Sequence, residues 1–267
     1  MESLKEKVTI ISGGGLARAI AVVFAKYGAK LVLADNDMAR AQTVVEDCKK
    51  AGLTSDDVFA VEVNNTKKDD IQNMFDKCIA RFGRLDILVN NAGVGRLAPL
   101  PAKPPDVYDA LLNANVKTQL SIAQLSVPYL KVTKGNIVNL ATIVAEDPSS
   151  VCGVYGMTKA AVEMFTKTLA LEMAEFGIRV NEVRPGVVHT SFYDGFGGGF
   201  SKNLQLLREA ESAKHPMGRI ANPEEVANAI AFLASDMASF ITGNAIYVDG
   251  GRHCVGPGFA KRQKPQN

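Results

Sequence analysis

The sequence has little of what metal centres and disulfide scaffolds require. It contains no tryptophan, three histidines and four cysteines in 267 residues. Cys48, Cys78, Cys152 and Cys254 are far apart, form no CxxC pair and accompany no cluster of histidines. Zinc sites and disulfide frameworks use closely spaced residues of these types, so we expect reduced thiols and no metal site.

Charge of one sign and long apolar runs are also scarce. Lys and Arg number 30 against 28 Asp and Glu, for a formal net charge of +2, which offers no basic surface for nucleic acid. No apolar run reaches the ~18 residues needed to span a bilayer. The charged N-terminus leads into an apolar run at Val8 without a signal-peptide pattern. We therefore expect a cytoplasmic protein that binds neither nucleic acid nor membrane.

What the chain does contain is an alternation of short apolar runs and amphipathic segments. Strands are predicted at 8–12, 30–34, 58–63, 87–89, 136–140, 179–183 and 245–248. Helices are predicted at 16–27, 37–51, 71–82, 106–130, 153–176 and from 223 onward. This pattern is typical of an α/β fold with a doubly wound, Rossmann-like parallel sheet and helices on both faces. No linker is visible, so 1–267 is predicted to be a single domain with a short tail at about 252–267.

Tyr155 and Lys159 form the pair with the clearest chemical meaning. Positions i and i+4 share a helix face, so the phenol and the ammonium project side by side. Free tyrosine has a pKa of about 10 and is a poor base at neutral pH, but a nearby cation favours the phenolate. Thr142, thirteen residues before Tyr155, places a hydroxyl at the end of a predicted buried strand. Each residue alone could be structural, but the ordered set indicates proton transfer at an oxygen atom.

A glycine-rich turn follows the first predicted strand. The run Ser12-Gly13-Gly14-Gly15-Leu16-Ala17 leads from strand to helix, where a dinucleotide-binding fold has its phosphate turn. Asp35 ends the second strand, where a carboxylate would accept hydrogen bonds from ribose hydroxyls and repel a 2′-phosphate. Asn36 follows, with no arginine to bind that phosphate, so NAD is favoured over NADP. The alternatives are an ordinary tight turn and a helix N-cap or solvated loop acid.

These residues, with Asn90-Asn91-Ala92-Gly93, Asn115 and Arg184-Pro185-Gly186, resemble the motifs of the classical short-chain dehydrogenase/reductase family. The resemblance extends from about residue 8 to residue 251. It implies hydride transfer between C4 of a nicotinamide and the carbonyl carbon of a small-molecule substrate. We expect that substrate to be a fairly apolar secondary alcohol or ketone.

The resemblance also implies roles for four catalytic residues. Tyr155 would transfer the proton, and Lys159 would lower its pKa and bind the nicotinamide ribose. Thr142 would replace the family's usual serine. Asn115 would bend its helix and hold a water molecule that connects Lys159 to solvent.

Most of the cofactor contacts are implied in the same way. Asn64 would face the adenine amino group and Asn65 would line the same pocket, while Val188 and Thr190 would hold the carboxamide. The full predicted set is Ser12, Gly13, Gly15, Leu16, Asp35, Asn64, Asn65, Asn91, Ala92, Gly93, Tyr155, Lys159, Pro185, Val188 and Thr190. The alternative is that the Asn-rich turns only satisfy backbone groups.

The phosphate turn departs from the family pattern TGxxxGxG. One residue separates Gly13 from Gly15 where the family has three, and Ala17 stands at the last glycine position. A turn two residues short offers fewer amides to a pyrophosphate, so we expect weak NAD affinity. This departure favours an alternative function, in which a protein of this fold has weakened cofactor binding and acts as a binding or regulatory module.

The segment at about 191–217 combines aromatic residues with glycines, which predicts a lid over the substrate. Phe192 and Tyr193 are predicted to contact substrate together with Thr142 and Tyr155. The alternative is packing on the sheet or on another subunit. His189 and His215 are expected to be surface or packing residues.

The helices predicted at 106–130 and 153–176 carry apolar residues on more than one face. Such helices bury their additional apolar surface against a partner, which predicts a homo-oligomer, either a tetramer or a dimer. The residues concerned include Leu111, Leu120, Val162, Phe165 and Leu169.

Overall fold

A computed structural model describes residues 1–96, 100–102, 104–192 and 204–256. Its strands form one parallel sheet with the order β3-β2-β1-β4-β5-β6-β7, which confirms the predicted doubly wound α/β fold. The strands are β1 Val8–Ser12, β2 Lys30–Asp35, β3 Val58–Glu62, β4 Ile87–Asn90, β5 Asn136–Leu140, β6 Arg179–Pro185 and β7 Ala245–Val248. The chain order reverses between β1 and β4, so the carboxyl ends of these strands form the crevice where folds of this type bind ligands.

Helices cover both faces of the sheet. They are α1 Ala17–Lys26, α2 Met38–Lys50, α3 Lys68–Phe82, α4 Pro105–Leu112, α5 Thr118–Thr133, α6 Gly153–Met173, α7 Leu204–Lys214 and α8 Pro223–Ala234. One helix had been predicted at 106–130, but the structure has α4 and α5 joined by a turn of π-helix at Asn113–Lys117. The wider turn keeps the backbone hydrogen-bonded, so the apolar periodicity does not reveal the break.

The core lies on both sides of the sheet, and neighbouring residues of one strand serve opposite sides. In β1, Ile11 packs with α1, α2 and α8, whereas Val8 and Ile10 pack with α3, α5 and α6. A strand buried on both faces is mostly apolar, which explains the apolar runs of β1, β2 and β4 in the sequence. β6 is the exception, because it carries the buried Glu182 and Arg184.

No described helix is both long enough and apolar enough to cross a bilayer. Within the same residues, no three His, Cys, Asp or Glu side chains come together in a group that could hold a metal ion.

Candidate active site

A cavity of about 540 Å³ opens at the carboxyl ends of β1, β4, β5 and β6. Residues distant in sequence meet here because parallel strands bring their carboxyl ends to one edge of the sheet. Eleven predicted site residues line it: Gly15, Leu16, Asn91, Gly93, Thr142, Tyr155, Lys159, Pro185, Val188, Thr190 and Phe192.

Tyr155 and Lys159 lie on the first turns of α6 and are both buried. The Lys159 Nζ atom is 5.9 Å from the centre of the Tyr155 ring and donates a hydrogen bond to the carbonyl oxygen of Leu140 at 2.6 Å. The Lys159 ammonium therefore links α6 to the end of β5.

Burial lowers the pKa of Lys159 to about 8, and the carboxylate of Glu182 acts in the opposite direction. A lysine with this pKa is still mostly protonated at neutral pH. It can therefore favour the phenolate form of a neighbouring tyrosine.

Thr142 and Gly93 border the space next to this pair. The Thr142 hydroxyl donates to the carbonyl of Pro185 at 3.4 Å, a long and weak hydrogen bond. A Cβ atom on Gly93 would lie 3.2 Å from Asn115 Oδ1 and 3.6 Å from Lys159 Nζ. Glycine at this position thus allows the turn after β4 to approach the lysine closely.

Asn115 is fully buried within the π-turn between α4 and α5. Its Oδ1 accepts a hydrogen bond from the Val94 amide at 2.8 Å, and its Nδ2 donates to the Val94 carbonyl at 2.9 Å and to Thr158 Oγ1 at 3.1 Å. The side chain therefore fixes the segment after Gly93 to α6, and its amide has few bonding sites left for a water molecule.

Ser12 and Asn91 join the ends of β1 and β4. Ser12 Oγ accepts hydrogen bonds from the amides of Asn91 and Ala92, both at 2.9 Å. Asn91 Nδ2 donates to the carbonyls of Ser12 and Gly13, both at 3.0 Å. Ser12 is fully buried and does not line the cavity, so its position is that of a brace beneath the site.

The shortened glycine turn is compact and closed. Gly14 has φ of +132°, a conformation that residues with a side chain rarely adopt. A Cβ atom on Gly15 would lie 3.2 Å from Phe192 Cβ and 3.4 Å from Thr190 Cβ. The turn thus packs against the segment that follows β6, and the Phe192 ring lies 5.9 Å from that of Tyr155.

Asp35 is buried at the end of β2, and Arg40 binds it. Arg40 Nη2 lies 2.5 Å from Asp35 Oδ1 and Arg40 Nε lies 3.1 Å from Oδ2. The sequence shows no arginine next to Asp35, but Arg40 sits in the first turn of α2 and reaches back to the carboxylate. The interpretation of Asp35 as an unpaired repulsive charge is therefore incomplete.

Asn64 and Asn65 follow β3 at the outer end of the same edge. Asn64 Oδ1 already accepts hydrogen bonds from the amide and hydroxyl of Thr66, at 3.0 and 2.7 Å. Asn65 Oδ1 is buried and has no hydrogen-bond donor among the residues that the structure describes. Of these two side-chain oxygens, that of Asn65 is the one that lacks a hydrogen-bond donor within the described ranges.

Sequence reasoning assigned no role in the cavity to several residues of its outer wall. His215 is buried, with Nδ1 2.7 Å from the Glu211 carbonyl and Nε2 3.4 Å from the Val187 amide, so it joins α7 to the turn after β6. Arg252 forms a salt bridge with Asp147 at 3.4 Å across the outer wall. No motif marks these residues, because loop geometry alone brings them together.

The predicted lid lies only partly within the described residues. Phe192, α7 and His215 belong to it, whereas Tyr193 and the rest of 193–203 lie outside the described ranges, as does the tail from 257 onward. His189 is exposed on the loop after β6.

Known proteins are similar to this chain over nearly its whole length. A family model described as "Enoyl-(Acyl carrier protein) reductase" matches residues 10–253. The chain is 36% identical over 251 residues to the 3-oxoacyl-[acyl-carrier-protein] reductase FabG of Thermotoga maritima, covering 93% of this chain and 98% of the relative. It is 34% identical to the L-fucose dehydrogenase of Bos taurus, covering 92% of this chain and 88% of the relative.

Two solved structures are similar over nearly their whole length. One is a short-chain dehydrogenase/reductase of unknown function from Caenorhabditis elegans with cofactor, with a TM-score of 0.88, 31% identity and coverage of 96% of this chain and 98% of that one. The other is a 3-ketoacyl-(acyl-carrier-protein) reductase from Brucella melitensis complexed with NADH, with a TM-score of 0.83, 34% identity and coverage of 94% and 100%.

Proposed function

This chain belongs to the classical short-chain dehydrogenase/reductase family of oxidoreductases, and from that membership we propose that it transfers a hydride between NAD and a secondary alcohol or ketone. We propose that the substrate is a fairly apolar small molecule. Apolar side chains of Val144, Val151 and Val187 on the cavity wall support this choice.

The observation that carries the proposal is the meeting of Tyr155, Lys159 and Thr142 around one cavity. They come from α6 and the end of β5, and Asn115 braces them from the π-turn. A scaffold without catalysis has no chemical need for a buried lysine beside a buried tyrosine, since burying an ammonium is costly.

The residues along the carboxyl edge fit a nicotinamide dinucleotide. Gly13 lies so close to Asp35 that a Cβ atom on Gly13 would be 2.8 Å from Asp35 Oδ2. The glycine backbone therefore lies next to the carboxylate that would accept hydrogen bonds from the ribose. At the outer end, the orphaned Asn65 Oδ1 would accept from the adenine amino group. The charge of Asp35 supports a preference for NAD over NADP. Arg40 would have to move away from the Asp35 carboxylate before a ribose could bind it.

When bound, the nicotinamide would supply or accept the hydride. The chain's own residues handle the proton and the geometry. The Tyr155 hydroxyl would donate a proton to the carbonyl oxygen in reduction and accept one in oxidation. Lys159 favours the ionised phenol, and the Thr142 hydroxyl, weakly held by Pro185, can turn to hydrogen-bond the substrate oxygen.

A second function has its own supporting observation. Phe192 and Thr190 pack directly on Gly15, where a pyrophosphate would need access to the backbone amides. With this contact in place, the protein would bind cofactor weakly and act as a binding or regulatory module of the same fold.

We further propose a homo-oligomer in the cytoplasm. The helix residues first considered for the interface are mostly used in the core, because Leu111, Val162 and Leu169 are buried. Leu120 from that set remains exposed, as do Leu112, Met157, Met164 and Leu171 on the same helices. Burial raises the pKa of the Cys48 and Cys78 thiols to about 12, which keeps them unreactive and agrees with reduced cysteines.

Calorimetric titration with NAD, followed by assays of NADH oxidation with a panel of apolar ketones, tests the proposal. We expect binding and turnover, with turnover abolished by Tyr155→Phe. Binding without turnover of any ketone or alcohol would favour the regulatory alternative, and absence of binding to both NAD and NADP would refute the proposed function.

A further inference from the structure

A cluster of charged side chains surrounds the buried Arg184 on the same side of the sheet as the catalytic lysine. Arg184, on β6, is almost fully buried and contacts three carboxylates, those of Glu146, Glu163 and Glu182. Its Nε atom lies 2.6 Å from Glu182 Oε1, and its Nη2 atom lies 2.9 Å from Glu163 Oε1. Its Nη1 atom also donates to the Tyr247 hydroxyl at 2.7 Å.

The cluster and Lys159 share one side of the sheet. Lys159 and Glu163 are four residues apart on the face of α6 that meets β6, and Glu182 and Arg184 are two apart on β6, so their side chains point the same way. Glu182 pairs in register with Asn139, next to Leu140, whose carbonyl accepts the hydrogen bond from Lys159. The carboxylate and the ammonium therefore belong to one buried neighbourhood.

The balance of charges is complete only when Lys159 is included. Glu163 and Glu182 are largely buried and supply two negative charges, against one positive charge from the buried Arg184. Glu146 and Lys167 are half-exposed, so solvent screens their charges. Among the described residues no carboxylate forms a salt bridge with Lys159 itself, and its Nζ donates to a backbone carbonyl. Lys159 is thus the buried cation that balances the second buried carboxylate.

Only one of the two carboxylate oxygens of Glu182 is bound by Arg184. It is 2% exposed, and its Oε2 atom has no hydrogen-bond donor among the residues described. The Thr166 hydroxyl beside it donates to the Val162 carbonyl at 2.9 Å. A buried carboxylate with an unpaired oxygen costs stability, and well-packed apolar residues often replace buried ion pairs without loss. Its position is explained if its charge serves the neighbouring ammonium.

We propose that Glu182 is a positioning residue. Its buried carboxylate supplies the counter-charge that keeps Lys159 protonated. This proposal rests on the proposed oxidoreductase function. On α6 the titratable neighbour of Lys159 is Tyr155, and on β6 the carboxylate that acts on it is Glu182. The groups around Arg184 are Glu163 and Lys167 on α6, Tyr247 on β7 and Glu146 before α6. The elements packed on α6 from the other side, α4 and the π-turn, carry Asp106, Tyr108, Asp109 and Lys117.

The test compares pH profiles of ketone reduction for wild type and Glu182→Gln. Reduction needs the protonated pair, so the rate falls as pH rises through the pKa of Lys159, which is about 8 in the wild type. Without the Glu182 carboxylate, nothing opposes the lowering of the Lys159 pKa by burial. The fall in rate at alkaline pH, the alkaline limb of the profile, should therefore move to lower pH by on the order of one unit. Glu182→Asp keeps the charge and should restore the limb.

Glu146→Gln is the matched control. It removes a carboxylate from the same Arg184, but Glu146 is half-exposed and its charge is screened by solvent. It should leave the alkaline limb in place even where it lowers the melting temperature. A limb that does not move in Glu182→Gln, or moves equally in Glu146→Gln, overturns the proposal. If Glu182→Gln does not fold, Glu182→Met removes the same charge with an apolar side chain of similar size and is judged by the same limb.

A direct titration separates this proposal from the proposed function. Protein labelled with 13C at lysine Cε, with Lys159→Met to assign the signal, reports the Lys159 midpoint without substrate. If the wild type turns over no ketone, the proposed function fails, while a lower midpoint in Glu182→Gln still supports the counter-charge. An unchanged midpoint refutes it.

Discussion

The guanidinium of Arg40 binds both carboxylate oxygens of Asp35, at 2.5 and 3.1 Å, in the place where a dinucleotide-binding fold receives the adenosine ribose. Asp35 is buried, whereas the Arg40 side chain is 54% exposed and can move away. The pair therefore sets a competition, because ribose hydroxyls and Arg40 require the same oxygens. A 2′-phosphate would instead gain from an arginine that turns toward it.

Arg40→Ala should strengthen the preference for NAD over NADP. Removing the competitor frees Asp35 for the ribose and leaves its negative charge facing a 2′-phosphate, so we expect the ratio of affinities to rise about tenfold, which corresponds to ~1.4 kcal/mol. Calorimetric titration with both cofactors measures it. Arg18→Ala removes another arginine–carboxylate pair, with Asp47 at 2.7 Å, and should change neither affinity. Weaker NAD binding by the Arg40 variant would contradict the competition.

Asp35→Ala should act in the opposite direction. It removes a ribose acceptor and a repulsive charge together, so the preference for NAD should narrow. A wild-type protein that already prefers NADP would show that the interpretation of Asp35 is wrong, and Arg40 would then be the residue to examine for phosphate binding.

Tyr155→Phe should abolish turnover and leave NAD affinity nearly unchanged, since it removes the proton-transfer group and little else. General acid–base help contributes about 10²–10⁴-fold to the rate, so retention of more than about a tenth of wild-type activity would refute the assignment. Tyr129→Phe is the control, because that ring stacks on Phe75 in the core at 5.6 Å and lies outside the cavity. Lys159→Met should impair both turnover and cofactor affinity, since one ammonium serves two roles.

The fold followed from the sequence because buried parallel strands and amphipathic helices have distinct periodicities. Helix spacing alone placed Tyr155 and Lys159 on one face of α6, whereas the resemblance to family motifs, not periodicity, suggested that Thr142 lies beside them. Contacts that depend on the direction of a side chain could not be predicted from the sequence. Arg40 reaches back five residues to Asp35, and Asn64 binds Thr66 while the buried oxygen of Asn65 has no hydrogen-bond donor among the described residues. Such choices depend on rotamers and on local competition for hydrogen bonds.

The exposed apolar side chains on α5 and α6 should bury themselves between subunits. We expect light scattering at micromolar concentration to show a dimer or tetramer, and Met164→Glu, which places a charge on an exposed face of α6, to weaken it. Met237→Glu, an equally exposed site beyond α8, is the control. A monomeric wild type would refute the predicted assembly.

Glu225 should stabilise the fold in a pH-dependent way. Its carboxylate accepts hydrogen bonds from Arg219 at 2.6 and 2.7 Å and from the Asn222 amide at 2.8 Å, and these partners lower its pKa to about 2. Because the pKa is lower in the folded protein than the ~4.3 of a free glutamate, the stabilisation is present above pH ~4.3 and lost as pH falls through about 2.

Glu225→Gln should therefore lower the melting temperature at pH 7 and not at pH 2. The side chain is 39% exposed, so solvent screening limits the effect to about 1 kcal/mol or less, or a few degrees. Glu224→Gln, the exposed neighbour, should have no such effect at either pH. An equal loss at both pH values would show that the charge of Glu225 is not responsible.

The shortened glycine turn leads to the prediction that depends most on this chain's departure from its family. Gly15 packs on Phe192 and Thr190, and a turn two residues short exposes fewer amides to a pyrophosphate. A lost charge-assisted hydrogen bond costs about 1.5–3 kcal/mol, so even one would weaken NAD binding about tenfold or more.

Inserting two small residues between Gly14 and Gly15 should therefore tighten NAD binding, because it restores the family spacing and moves Gly15 relative to the segment after β6. The same insertion after Gly52, where a Cβ atom would meet nothing within 4 Å, tests whether added length alone matters and should leave affinity unchanged. Titration of both variants and the wild type with NAD decides the outcome. If the first variant folds and binds no better, the short turn is a working phosphate site, and Phe192 must then leave Gly15 whenever cofactor enters.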